Sequence, residues 1–67
     1  MKAYQEILRE LRENHDLSQA EVAKALGTTQ QVYSRYESGK NEMPLRHLVA
    51  LSRLYRVSTD YILGLEH

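Results

Sequence analysis

Apolar residues recur along this chain at helical spacing, broken by short polar turns. Tyr4, Ile7, Leu8 and Leu11 fall on one side of a helix with Glu6, Arg9, Glu10 and Glu13 on the other, so the first segment predicts an amphipathic helix ending between Asn14 and Asp16. Ser18, with Glu21 three residues on, makes a capping box in which hydroxyl and carboxylate each satisfy an orphan amide, so a second helix opens at Gln19. Its apolar side is Ala20, Val22, Ala23 and Leu26, and Gly27 supplies the left-handed residue that stops it. Thr28 and Thr29 are both N-cap types for a third helix, Gln30 to Ser38, with Thr29 preferred; this helix buries Tyr33 and Tyr36 and ends at Gly39.

The remaining elements complete a bundle. Pro44 suits the first turn of a fourth helix whose Leu45, Leu48, Leu51 and Tyr55 face inward, with Ser52 small enough for close packing and His47 where an apolar residue is common. Ser58 caps a short fifth helix through Tyr61, Ile62 and Leu63, and Asp60 in its first turn is favourably placed against the helix dipole. The fold class is therefore all-α, a compact five-helix bundle in one domain over 1–65. Two short helices joined by so tight a turn must cross steeply, and the small Ala20 and Ala23 allow close approach, which predicts a helix-turn-helix at about 18–38.

With Tyr33 and Tyr36 inward, helical spacing turns Gln30, Gln31, Ser34 and Arg35 outward. Gln pairs bidentately with adenine and Arg with guanine, each worth about 1–3 kcal/mol of discrimination in a major groove. A merely solvated face has the same polar composition, and only the turn geometry tips the reading toward nucleic acid.

The stretch LSQAEVAKALGTTQQVYSRYESGK, then Pro44 and VSTDYILGL, resembles the phage-repressor-like helix-turn-helix family, the Cro/repressor or XRE type with the lambda-repressor-like fold. The resemblance covers nearly the whole chain, and Gln19, Ala23, Gly27, Glu37, Gly39, Pro44 and the closing DYILG carry it. It implies that Gln19 holds a phosphate, that Gln30 and Gln31 meet base edges first, and that Arg35 is a third base-reading or phosphate-contacting position. Thr29 would offer a methyl group to thymine. Lys40, Asn41 and, more weakly, Arg46 would contact the DNA backbone and fix register. Arg12 and Glu37 resemble an ion pair that joins the first and third helices, which makes Arg12 scaffold. Asp16 and Arg56 depart from the family, which commonly has glycine there, so those turns are expected to differ locally. Glu42 and Met43 replace a basic loop, implying fewer phosphate contacts.

The expected partner is double-stranded DNA, read by a transcriptional regulator of repressor type. Tyr61, Ile62, Leu63 and Leu65 exceed what so small a core needs, so they are expected to form a homodimer surface that sets two reading helices about 34 Å apart on a near-palindromic site. The alternatives are that this strip packs on the first and fourth helices or continues into a further domain. A second functional reading is a protein-interaction module, antitoxin-like or docking, with little DNA binding.

Charge refines this picture. The 67 residues have a net charge of zero, yet Gly27 to Arg56 carries five bases against two acids. A mildly basic face on a neutral body fits specific reading better than general coating of DNA. No two histidines have helical zinc spacing, no Gly-rich phosphate loop or nucleophile elbow is present, and there is no cysteine. No enzyme activity, metal, cofactor or small-molecule ligand is expected. Of the five tyrosines, Tyr33 is the one whose hydroxyl is a candidate phosphate contact. The lack of cysteine suits a reducing cytoplasm, and no apolar run reaches membrane-spanning length, so a cytoplasmic location without membrane contact is expected. Residues 66–67 resemble the start of an expression tag.

Overall fold

A computed structural model describes residues 2–65, so the tag-like residues 66–67 lie outside the described part. Among the described residues the chain forms five helices: α1 (Tyr4–Asn14), α2 (Gln19–Leu26), α3 (Gln30–Ser38), α4 (Leu45–Tyr55) and α5 (Thr59–Ile62). The local chemistry at each start follows its sequence. The Ser18 hydroxyl accepts from the Glu21 amide at 3.0 Å while the Glu21 carboxylate accepts from the Ser18 amide at 2.9 Å. Thr29 caps α3 through the Val32 amide at 3.2 Å, and Ser58 caps α5 through the Tyr61 amide at 3.0 Å.

The helix ends share one device. A left-handed residue follows α1, α2, α4 and α5, and the amide beyond it reaches back five residues: Leu17 to the Arg12 carbonyl, Thr28 to Ala23, Val57 to Ser52 and Leu65 to Asp60. Gly27 and Gly64 occupy two of these positions, but Asp16 and Arg56 hold the other two at φ 56° each. The expected local difference at Asp16 and Arg56 is thus corrected: the turn geometry is kept, and a side chain tolerates a backbone that glycine adopts more easily. The Ser52 hydroxyl donates to the Val57 carbonyl at 2.6 Å and ties the turn after α4.

Leu8, Val22, Tyr33, Leu51 and Ile62 are fully buried at the centre, and Ile7, Leu11, Ala23, Tyr36, Leu48 and Tyr55 close the core around them. α3 packs on α2 and α1, while α5 packs on α4 and α1. Three expectations about facing need correction. Ala20 is exposed, and the residues that α2 buries are Val22 and Ala23. Leu45 is 77% exposed, because the first residue of α4 lies off the stripe formed by Leu48, Leu51 and Tyr55. Ile62 is 0% exposed and belongs to the core, which leaves Tyr61, Leu63 and Leu65 as the outward apolar residues of that segment.

His47 is buried, with its Nδ1 3.0 Å from the Tyr36 hydroxyl, so it joins α4 to α3. Burial, with the Arg46 charge adding to it, holds this imidazole below its ordinary 6.5. A neutral buried histidine contributes its full stability above 6.5, and that stability is lost as the pH falls through 6.5 toward the folded-state value. Urea unfolding between pH 7 and about 5.5 should therefore show stability falling in the wild type and a flatter slope in His47→Gln; equal slopes would assign the loss to another group.

Gly64 separates backbone strain from crowding. A Cβ there would stand 2.8 Å from the Lys2 carbonyl oxygen, whereas a Cβ on Gly27 meets nothing within 4 Å, and both residues have positive φ. Gly27→Ala should cost about 1 kcal/mol from conformation alone, and Gly64→Ala roughly 1 kcal/mol more from the displaced Lys2 backbone. Chemical denaturation of the two variants checks the difference.

Candidate nucleic-acid interface

The exposed face of α3 is defined by burial of its opposite side. Tyr33 and Tyr36 meet edge to face, with ring centroids 6.2 Å apart, and anchor α3 in the core. Helical geometry then leaves Gln30, Gln31 and Arg35 exposed and Ser34 half-buried. Together with Gln19, Ser38 and Lys40 these residues line one open depression of about 450 Å³. Lys40 reaches it because the Asn41 amide donates to the Arg35 carbonyl at 3.2 Å, which folds the loop back over the end of α3.

Other expected contacts lie outside this depression. Thr29 is exposed at the N-terminus of α3, its hydroxyl engaged as the cap. Asn41 and Arg46 are exposed but do not line the depression. The expectation for Tyr33 is corrected: it is 0% exposed, and its hydroxyl is buried in the core, out of reach of a phosphate. Burial, aided by the nearby Glu37 carboxylate, raises its pKa. Burial also pushes the Tyr55 hydroxyl up to about 12.

Behind the depression, Arg12 and Glu37 form a two-pronged ion pair, Nε to Oε2 at 2.7 Å and Nη2 to Oε1 at 3.1 Å. Arg12 Nη1 also donates to the Leu17 carbonyl at 3.1 Å, so one guanidinium ties α1, the turn after it and α3. Burial by itself would raise the Glu37 carboxyl, but Arg12 first, then the nearby Tyr33 hydroxyl and the Gln19 amide, outweigh it and hold the group below 4.5. The hydrogen bond to Glu37, against desolvation, raises Arg12.

Sequence reading missed Arg9 and Ser38. A second depression, of about 530 Å³, is lined by Arg9, Arg12, Glu13, Gln19, Ser34, Glu37 and Ser38, so the exposed Arg9 stands on the α1 flank of α3. The signal was available: Arg9 and Arg12 are three apart and share a face of α1. Ser38 lines both depressions, one helical turn beyond Ser34.

α2 and α3, packed on each other across a three-residue turn, a polar exposed face on α3 and three further helices define the helix-turn-helix class. The chain belongs to the helix-turn-helix family, in its Cro/repressor type, which residues 8–62 match. Its relatives include the HTH-type transcriptional regulator YobD of Bacillus subtilis (strain 168), 45% identical over 62 residues that make up 92% of this chain and 55% of YobD. The SPbeta prophage-derived HTH-type transcriptional regulator YonR of the same organism is 42% identical over 62 residues, 92% of this chain and 57% of YonR. This chain thus spans about half the length of these relatives. The P22 c2 repressor, solved in complex with a synthetic operator, matches with a TM-score of 0.89 at 27% identity, covering 98% of this chain and 100% of that one. A transcriptional regulator from Listeria innocua shares the fold with a TM-score of 0.88 at 23% identity, over 96% of this chain and 60% of that one. Among the described residues no helix is long and apolar enough to cross a membrane.

The ion pair makes a direct prediction. Arg12→Met leaves the Glu37 carboxylate, whose side chain is only 6% exposed, without its cation, and should cost about 3–5 kcal/mol. The double variant Arg12→Met/Glu37→Leu should recover most of that loss in thermal and urea unfolding. A double variant as unstable as the single would mean that packing, not the stranded charge, carries the cost.

Proposed function

We propose that this chain is the DNA-reading domain of a transcriptional regulator, of repressor type, which lays α3 in the major groove of double-stranded DNA in the cytoplasm. The depression shared by Gln19, Gln30, Gln31, Ser34, Arg35 and Lys40 carries this reading. It combines amide and guanidinium groups able to meet base edges with a lysine and a helix N-terminus suited to phosphate. In this function Gln30, Gln31 and Arg35, with Ser34 and the Thr29 methyl, read bases, while Gln19, Lys40, Asn41 and Arg46 position the backbone. The match to a repressor bound to its operator supports the same docking.

The functional unit is a homodimer on a near-palindromic site. The exposed Tyr61 of α5, with Leu63 and Leu65 just beyond it, supports this reading. A protein-interaction module is the second reading, favoured by an apolar groove of about 190 Å³ lined by Tyr4, Glu42, Met43, Leu45, Leu48 and Leu63.

Selection from a randomised duplex pool, followed by a salt series, tests the proposal. A near-palindrome should be enriched and bind at least about a thousandfold tighter than scrambled DNA. Gln31→Ala and Arg35→Ala should each relax preference at one position by roughly 1–3 kcal/mol. Lys40→Ala should weaken all duplexes alike and lower the salt slope by about 1. Failure to enrich any sequence would overturn the DNA-reading function in favour of a protein partner at the apolar groove.

A further inference from the structure

The Glu37 carboxylate serves three helices. Its Oε2 takes Arg12 of α1, and its Oε1 takes both the second prong from Arg12 and the side-chain amide of Gln19, which donates at 3.1 Å from the first turn of α2. Gln19 is half-buried and lines both depressions that flank α3. A glutamine left to itself at a helix start samples several staggered rotamers. Donation of one N–H to a fixed carboxylate selects among them, and it leaves the second N–H and the amide oxygen free to face outward.

An unpaired carboxylate at this place would repel a phosphate. Here the guanidinium cancels the charge, and the pair is largely buried, with side chains 14% and 6% exposed. Glu37 therefore supplies an acceptor to Gln19 without presenting a net negative charge to DNA. We propose, resting on the DNA-reading function above, that Glu37 is a positioning residue of the interface: it acts through Gln19, holding that carboxamide so that its second N–H meets a backbone phosphate beside the N-terminus of α2.

The test compares two replacements at Glu37. Glu37→Gln gives up the charge but keeps an acceptor oxygen for Gln19, whereas Glu37→Met removes the acceptor. Affinity for the selected duplex is measured at a temperature where melting curves show each variant folded. Where Glu37→Met alone unfolds, the same comparison is made in Arg12→Met/Glu37→Met, which strands no charge.

Glu37→Met and Gln19→Ala should each weaken binding about two- to tenfold, the range of one hydrogen bond. The double variant Glu37→Met/Gln19→Ala should lose no more than either single, and Glu37→Gln should stay within about twofold of the wild type. Glu37→Met and Glu37→Gln free the same Arg12 charge, so any steepening of the salt slope should be equal in the two, and Gln19→Ala should keep the wild-type slope. In ¹⁵N spectra of the free protein one proton of the Gln19 side-chain amide should lie downfield of its free-glutamine position in the wild type and Glu37→Gln, and return toward that position in Glu37→Met. Losses that multiply in the double variant, or a Gln19 amide already at free-glutamine positions in the wild type, would overturn the role of Glu37. A wild type that selects no duplex would instead overturn the DNA-reading function itself.

Discussion

A helix of nine residues has too few internal hydrogen bonds to persist alone in water, so the direction of α3 is decided by what its buried side is packed into. Tyr33 and Tyr36 are that side, and both are large enough to reach across the core to neighbouring helices. The caps at Thr29 and Gly39 then limit the helix to the part that this anchor can hold. Everything proposed for the exposed face depends on this arrangement. Gln30, Gln31 and Arg35 are placed by residues that themselves never see solvent.

Polar bonds divide the work with apolar packing. Burial at the centre is non-directional and tolerates small rotations of α3 about its own axis. The Arg12–Glu37 pair and the Tyr36–His47 contact are directional, and they grip α3 from opposite partners, α1 on one side and α4 on the other. Their net contribution to stability is small beside that of the core. Their contribution to orientation is larger, since each is satisfied at one angle of the helix only.

Features governed by nearest neighbours in the chain were legible in the sequence. Ser18, Thr29 and Ser58 cap as read, and Gly27 and Gly39 end their helices in left-handed geometry, because a cap involves residues within one turn. The apolar stripe of α1 was equally plain, since several of its positions agree on one phase. Errors arose where one residue had to be placed without such agreement. Leu45 begins its helix ahead of the stripe, Ala20 is small enough to sit on either face, and the Ile62 position in α5 depends on contacts with helices distant in sequence. The polar exposed face of α3 was legible along that helix itself; the spacing of Arg9 from Arg12 showed a shared face of α1, but that this face flanks α3 is a tertiary fact. Tyr33 was misjudged for a related reason: a phenol advertises its hydroxyl, while the fold uses its ring and takes both into the interior.

The left-handed Asp16 and Arg56 bear on how such a domain can change. Each holds a conformation that glycine or asparagine would adopt with less strain, a difference of about 1 kcal/mol per site. Asp16 and Arg56 are exposed and line neither depression beside α3, so the chain keeps a reserve of stability that lies outside the proposed reading face. In a domain this small, a change of that size alters the unfolded fraction severalfold. Easing either turn would thus let α3 accept a less stable side chain, and with it a new sequence preference, without loss of the folded state.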